Sequence, residues 1–213
     1  MDSQGARIKI LHKIKNALRE PVAVPFPEQV ADTPLFMPSG EELTIEFAEK
    51  FTELLGKFVY CADEAELVKK LSGLIQQQKW DKIYSREAGW LDDMKEYHFD
   101  PVTTDDLAGC DASITLCDHL VARTGTIVLS SQQLSGRTSS VYAPIHICIA
   151  YTHQLVFDIS DSLAQFKKEA DAMPSMISYA TGPSRTADIE KTLVVGVHGP
   201  KEVYCFLVDK LMD

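Results

Sequence analysis

The sequence lacks the features that tie a chain to a membrane or to nucleic acid. No apolar run approaches the ~20 residues needed to cross a bilayer, and the N-terminus has no signal-peptide core. Positive charge is scarce: 21 Lys and Arg stand against 31 Asp and Glu, a formal net charge of −10. Broad nucleic-acid binding needs a basic surface. These absences predict a cytoplasmic protein with no membrane span and no nucleic-acid partner.

Signatures of metal and redox cofactors are missing as well. The five cysteines are odd in number and scattered, without the C-x-x-C pairs typical of iron–sulfur and zinc sites. They are Cys61, Cys110, Cys117, Cys148 and Cys205. No two of the candidate histidines have metal-ligand spacing, and no glycine fingerprint for a flavin or a nicotinamide is present. We therefore predict reduced core thiols, no metal and no cofactor in this chain.

The chain divides by composition into an N-terminal arm and a main domain. Residues 4–19 place apolar side chains at helical spacing among five basic ones, which predicts a basic amphipathic helix. Residues 20–38 contain five prolines and little periodicity, which predicts an extended linker. We predict a separate arm over residues 1–38 that packs on its own domain, packs on a second copy or docks an acidic partner. An α/β domain over residues 39–213 follows.

Helix and strand patterns alternate through the main domain. Strands are predicted at residues 57–61, 83–84, 110–116, 126–129, 145–151, 155–157, 176–179 and 203–208. Helices are predicted after a capping box at residues 39–42, from Asp63, around Trp90 and from Asp161. The alternation predicts an α/β fold with a mainly parallel sheet, and the crowded strands of residues 126–157 predict a locally antiparallel section. Sheets of this kind normally carry their sites at the carboxyl ends of the strands.

One polar segment, residues 181–190, has the composition of an anion site. Gly182 and Pro183 predict a tight turn, and Ser184 is placed to cap a helix that starts after it. The unpaired amides of a helix start, together with the guanidinium of Arg185, attract anions. The plainer interpretation is a capped surface helix on which Arg185 pairs with Asp188.

Residues 181–190 and the turn at residues 196–200 resemble the signature of the lactate-utilisation protein C family (LUD domain). A second block agrees with that family in the same order, namely residues 111–115, residues 124–126 and the spaced set Arg137, Ser140, Pro144 and His146. The resemblance extends over about residues 80–209. It implies the fold shared by ribose-phosphate isomerases, coenzyme A transferases and formyltetrahydrofolate cyclo-ligases.

The resemblance also implies a function, as a subunit of a cytoplasmic iron–sulfur protein system that oxidises L-lactate to pyruvate. The chain has no motif of its own for a redox cofactor, so the iron–sulfur clusters are expected on partner subunits. A different class of function stays open: a stand-alone enzyme that acts on a small phosphorylated or acyl substrate through an anion-binding cleft. The sequence does not decide whether the chain is itself an enzyme.

The candidate ligand-binding residues offer hydroxyls, glycine amides or guanidinium groups. They are Arg123, Thr124, Gly125, Thr126, Arg137, Ser140, Ser184 and Arg185. Arg123 departs from the family pattern, which often has Glu there. Because arginine cannot form an acyl intermediate, this departure counts against transferase chemistry, whereas a guanidinium can bind a carboxylate or phosphate through two hydrogen bonds. An exposed arginine and a plain turn at residues 124–126 are the structural alternatives.

Three further residues are candidates for catalysis. Asp111 begins a strand, where it either holds neighbouring loops or acts as a site carboxylate. His146 lies on an apolar run, where a hydrogen-bonded core histidine is the alternative, and His198 lies in a glycine-rich turn. We predict that Ser184, Arg185, residues 124–126, Arg137 and His198 border one anion-binding cleft, for a small anionic ligand.

Overall fold

The computed structural model describes residues 3–19, 36–37, 40–135, 138–169, 173–187, 193–196 and 198–209. The chain divides into two compact units, residues 1–37 and residues 38–213. The first unit contains α1 (Ser3–Ala17), which corresponds to the basic helix predicted over residues 4–19. Most of the predicted linker lies outside the described residues.

The second unit alternates helices and strands. Its helices are α2 (Leu43–Glu53), α3 (Glu64–Gln78), α4 (Ala88–Met94), α5 (Ser139–Tyr142) and α6 (Ile159–Glu169). Its strands are β1 (Lys57–Cys61), β2 (Ile83–Ser85), β3 (Ala112–Thr115), β4 (His119–Val121), β5 (Thr126–Ser130), β6 (Ile145–Tyr151), β7 (Leu155–Val156), β8 (Ile177–Ala180), β9 (Arg185–Ala187), β10 (Leu193–Val195) and β11 (Glu202–Val208).

A five-stranded parallel sheet runs in the order β1-β11-β6-β3-β2. Its interior strands β6 and β11 are nearly continuous apolar sequences, as expected of parallel strands that are covered on both faces. The last strand of the chain, β11, therefore lies inside the sheet, between β1 and β6. This arrangement confirms the predicted α/β fold with a mainly parallel sheet.

The antiparallel section forms a separate four-stranded sheet in the order β7-β4-β5-β8. Strand β5 pairs antiparallel with β4 and β8, whereas β4 pairs parallel with β7. Strand β4 was not predicted from the sequence, because three residues are too few to show a period of two. A small antiparallel pair, β9 with β10, completes the strand pairing among the described residues.

One predicted helix is wrong, and two others are confirmed. Residues after Ser184 form β9 instead of a helix, because the backbone of Arg185–Ala187 pairs with the β-branched strand β10. The helix predicted after residues 39–42 is confirmed as α2, which begins at Leu43 with Glu42 before it and no side-chain hydrogen bond at the cap. Ser39 of the predicted capping box lies outside the described residues. Helix α3 begins after Asp63, whose carboxylate accepts a hydrogen bond from the Glu66 amide at 2.7 Å.

The core is built in layers around the two sheets. One face of the parallel sheet packs against α3 and α4, with Leu67, Leu71 and Trp90 buried there. The other face meets α2 and the four-stranded sheet, where Phe47 and Phe51 are fully buried. Helix α6 covers the outer face of the four-stranded sheet through Phe166. The space between the two sheets is where the candidate site opens.

Candidate anion-binding cleft

A cleft of about 480 Å³ lies where the edges of the two sheets meet. The parallel sheet contributes the amino ends of β6 and β11, with His146 and Val203 in the wall. The four-stranded sheet contributes Leu129 of β5 and residues 178–180 of β8. In the parallel sheet, the cleft therefore lies at the amino ends of the strands, whereas the sequence predicts a site at their carboxyl ends. In the four-stranded sheet, it lies at the carboxyl ends of β5 and β8.

The segment around Ser184 is fixed by backbone contacts. The Ser184 amide donates to the Pro200 carbonyl at 2.9 Å, and the Gly196 amide donates to the Ser184 carbonyl at 2.9 Å. Gly182 has a φ of +74°, and a Cβ atom there would lie 2.4 Å from the Leu54 carbonyl oxygen. This glycine therefore allows the close approach of α2, and the amide of Ser184 is already used within the protein.

Arg185 places its guanidinium at the cleft while remaining exposed. Its Nη2 donates to the Leu54 carbonyl oxygen, and a guanidinium carries five N–H donors, so further donors remain for a ligand. Ser140 from α5 and His198 from the turn before β11 line the same cleft. The structure thus brings Ser140, His146, Ser184, Arg185 and His198 together.

His146 is a buried histidine in the wall of the cleft, with a relative exposure of 1%. Its Nε2 forms a hydrogen bond with Thr115 Oγ1 at 2.9 Å. Burial lowers the pKa of the imidazole from 6.5 to about 4. His146 is therefore neutral at pH 7 and can offer a ligand a hydrogen-bonding group, but no positive charge.

The described lining of the cleft carries no negatively charged side chain. Among the described residues that line it, no Asp or Glu is found, although the chain has 31 acidic residues. Two other cavities of the main domain carry acids, Asp118 in one and Glu64, Asp93 and Glu96 in the other. With Arg185 at its edge and hydroxyls in its walls, the cleft has the chemistry of an anion site.

Arg123 and residues 124–126 lie outside the cleft. The guanidinium of Arg123 pairs with the Asp158 carboxylate at 2.7 Å, and both side chains are mostly buried. Gly125 has a φ of +56° and packs on α2, since a Cβ atom there would lie 2.5 Å from the Phe51 amide nitrogen. The hydroxyls of Thr124 and Thr126 bond to each other at 2.7 Å. Among the described residues, these groups serve packing between elements.

Asp111 holds neighbouring loops together, which is the structural one of the two roles considered for it. Its Oδ2 accepts hydrogen bonds from the amides of Asp81 and Lys82, each at 2.9 Å, which ties the loop before β2 to the start of β3. Arg137 and Asp188, the proposed surface partner of Arg185, lie outside the described residues.

A set of buried serines anchors the loop that carries Ser140. Ser113 Oγ donates to the Ser139 carbonyl at 2.7 Å, and Ser139 Oγ donates to the Ser135 carbonyl at 2.8 Å. Ser135 Oγ in turn donates to the buried carboxylate of Glu87. Sequence reasoning missed Glu87 and these serines, and no local pattern marks them, because the contact joins residues 48 positions apart.

Three of the cysteines come together in the core despite their spacing in sequence. Cys148 of β6 lies opposite Cys205 of β11, and Cys117 follows β3 in the same buried cluster. All five cysteines are free and buried. The pKa of the Cys117 thiol is raised by its hydrogen bond with Cys148 and by burial, and burial raises that of Cys148. Both thiols are therefore protonated at neutral pH.

Within the described ranges, no group of three His, Cys, Asp or Glu side chains is arranged to hold a metal ion. None of the helices in that part of the chain is both long and apolar enough to span a membrane.

Comparison with known proteins gives a family match and several curated relatives. The model of the LUD domain matches residues 45–208, which is most of the chain. "Lactate utilization protein C" of Bacillus licheniformis is 39% identical over 101 residues, covering 46% of this chain and 42% of the relative. The protein of the same name from Bacillus subtilis is 40% identical over 101 residues, with the same coverage. An uncharacterized protein of Neisseria meningitidis is 32% identical over 108 residues, covering 51% of this chain and 46% of that protein.

The matched stretches span less than half of the length of each of these relatives. A solved structure, a DUF162 family protein from Deinococcus radiodurans, superposes with a TM-score of 0.56 over 78% of this chain and 96% of that one. At 19% identity this likeness supports the fold alone.

Proposed function

Because the chain belongs to the LUD domain family, we propose that it is a subunit of a cytoplasmic system that oxidises L-lactate to pyruvate. The relatives named lactate utilization protein C support this assignment at about 39% identity. We further assign to the cleft at Ser184 and Arg185 the binding of an organic anion. The observation that carries this assignment is the cleft without acidic lining in a strongly acidic chain.

Oxidation of lactate releases two electrons and two protons, which a redox cofactor must accept. The iron–sulfur clusters that would accept these electrons belong to partner subunits on this proposal. The support comes from the chain itself, because its cysteines lack the spacing typical of cluster ligands.

The proposal can be tested by purifying the tagged chain from its host after growth on lactate. We expect iron–sulfur proteins to copurify, and the complex to reduce an artificial electron acceptor when L-lactate is added. The same chain made alone in a heterologous host should contain no stoichiometric iron and sulfide, and should not reduce the acceptor.

An untagged culture, processed in the same way, is the control for proteins that bind the resin. If the complex contains no iron–sulfur protein, or if lactate does not reduce the acceptor, the assignment to lactate oxidation is wrong. Turnover of a phosphorylated or acyl substrate by the pure chain would favour the alternative, a stand-alone enzyme.

A further inference from the structure

A second cavity of about 460 Å³ adjoins the cleft. Val141, His198 and Gly199 line both cavities, so the two are direct neighbours. Arg185 lines only the first cavity, whereas Lys201 lines only the second. We call the two cavities together the groove, with Arg185 in the lining of the first and Lys201 in the lining of the second.

Each cavity of the groove has one exposed cation in its lining, Arg185 in the first and Lys201 in the second. Among the described residues, neither cavity is lined by Asp or Glu. Glu202, the acid next to Lys201 in sequence, is held elsewhere, because its carboxylate pairs with Lys57 at 2.6 Å. Asp188, the acid nearest to Arg185 in sequence, lies outside the described residues. Within the described lining, no acid balances either cation, so both can meet negative groups of a ligand.

Exposed apolar side chains line the opening of the groove. Val141 and Tyr142 are exposed by 42% and 66%, although side chains of these types are usually covered. Both belong to the short helix α5, on the wall opposite the turn that carries His198. A ligand that lies along the groove would cover this apolar surface between its charged ends.

The walls of the groove are joined by backbone hydrogen bonds. The Lys201 amide donates to the Pro144 carbonyl at 2.8 Å, and the Ser184 amide donates to the Pro200 carbonyl at 2.9 Å. These contacts connect the segments that carry Lys201, α5 and Arg185. Because the walls are already in place, little conformational entropy is lost when a ligand binds.

The size of the groove decides between a short and an extended ligand. Cavities of roughly 300–1,000 Å³ normally enclose drug-sized molecules. A three-carbon acid such as lactate fills only a small part of one cavity, whereas Arg185 and Lys201 line different cavities. We propose that the groove binds an extended organic anion, with a negative group at each end of an apolar chain. This inference rests on the proposed anion-binding role of the cleft and specifies its ligand.

The test uses three carboxylates as probes in titration calorimetry of the full chain: the four-carbon diacid succinate, the eight-carbon diacid suberate and the eight-carbon monoacid octanoate. Suberate has two carboxylates on a long chain, succinate has two carboxylates on a short chain, and octanoate has one carboxylate on a long chain. We expect suberate to bind about tenfold more tightly than either of the others, since one additional charged contact is worth about that factor.

Lys201→Ala should weaken suberate about tenfold and leave octanoate unchanged, because octanoate places its one carboxylate at Arg185. Lys69→Ala, at an exposed lysine on α3, is the matched control and should change neither affinity. If suberate binds no better than octanoate in the parent protein, or if Lys201→Ala weakens both equally, the extended ligand is wrong while the anion cleft stands. If no carboxylate binds and phosphate does not either, the anion cleft fails together with this inference.

Discussion

At the scale of single residues, burial and pairing decide which polar groups remain for function. Arg123 was a ligand candidate from its sequence position, yet Asp158 holds it at 2.7 Å. Arg185 is exposed, and among the described residues its guanidinium donates to the Leu54 carbonyl. Sequence alone could not separate these two arginines, because the partner of Arg123 is 35 positions away.

His146 makes the stability of the fold depend on pH. The pKa of its imidazole is about 4 in the folded protein and about 6.5 in the unfolded chain, so the unfolded state binds more protons between these values. Protons therefore favour unfolding, and His146 should remove about 3 kcal/mol of stability as pH falls from 6.5 to 4. Above pH 6.5 it should have no such effect.

Chemical denaturation between pH 4 and 7 measures this dependence. His146→Gln should show a smaller loss of stability on acidification than the parent, whereas His153→Gln, at an exposed histidine, should match the parent. Equal pH slopes for the parent and His146→Gln would show that His146 does not titrate as a buried group.

At the scale of elements, local sequence signals predicted helices correctly where they agreed with the packing of the core. They failed where pairing between distant strands decided the backbone conformation. Asp63 starts α3 as predicted, because the cap and the apolar stripe act together. Ser184 has equally good capping chemistry, but the following residues pair with β10, a contact that no local pattern shows. The lining of the cleft from β8 and the turn before β11 was likewise only partly predictable, since it depends on how two sheets meet.

The contact between α2 and the turn before β5 depends on Gly125. Gly125→Ala would place a Cβ atom 2.5 Å from the Phe51 amide nitrogen and would require a φ of +56° from a residue with a side chain. We expect a loss of at least about 2 kcal/mol in the free energy of unfolding, from backbone strain and displacement of α2.

Gly73→Ala is the matched control for this substitution. Gly73 lies in α3, and a Cβ atom there meets nothing within 4 Å. This change should stabilise the protein by up to about 1 kcal/mol, because alanine favours a helix over glycine. Urea denaturation of both variants gives the comparison. Equal effects of the two substitutions would show that α2 does not need the close approach at Gly125.

At the scale of the whole molecule, the division between the N-terminal arm and the main domain makes a direct prediction. The unit of residues 38–213 contains both sheets and all of the buried core clusters. A chain that begins at Ser39 should therefore fold on its own. Calorimetry should show a cooperative melting transition for this truncated chain, and an insoluble product or a melt without cooperativity would show that the arm belongs to the core.

The wider interpretation depends on one property of the main domain, the binding of an anion at the cleft beside Arg185. The match over residues 45–208 and the relatives named for lactate utilisation establish the family, but none of them identifies a ligand. Arg86 serves as the control for Arg185, because it is an exposed arginine directly after β2 and does not line the cleft.

The most direct measurement is thermal unfolding of the parent, Arg185→Ala and Arg86→Ala with pyruvate, L-lactate, phosphate or suberate. A ligand at about a hundred times its dissociation constant should stabilise the parent and Arg86→Ala by about 2.7 kcal/mol. Arg185→Ala should lose this stabilisation, while its ligand-free melting temperature changes little, because an exposed hydrogen bond to Leu54 is worth only about 1 kcal/mol. A ligand-dependent shift that survives Arg185→Ala, or the absence of any shift in the parent, would contradict the anion cleft.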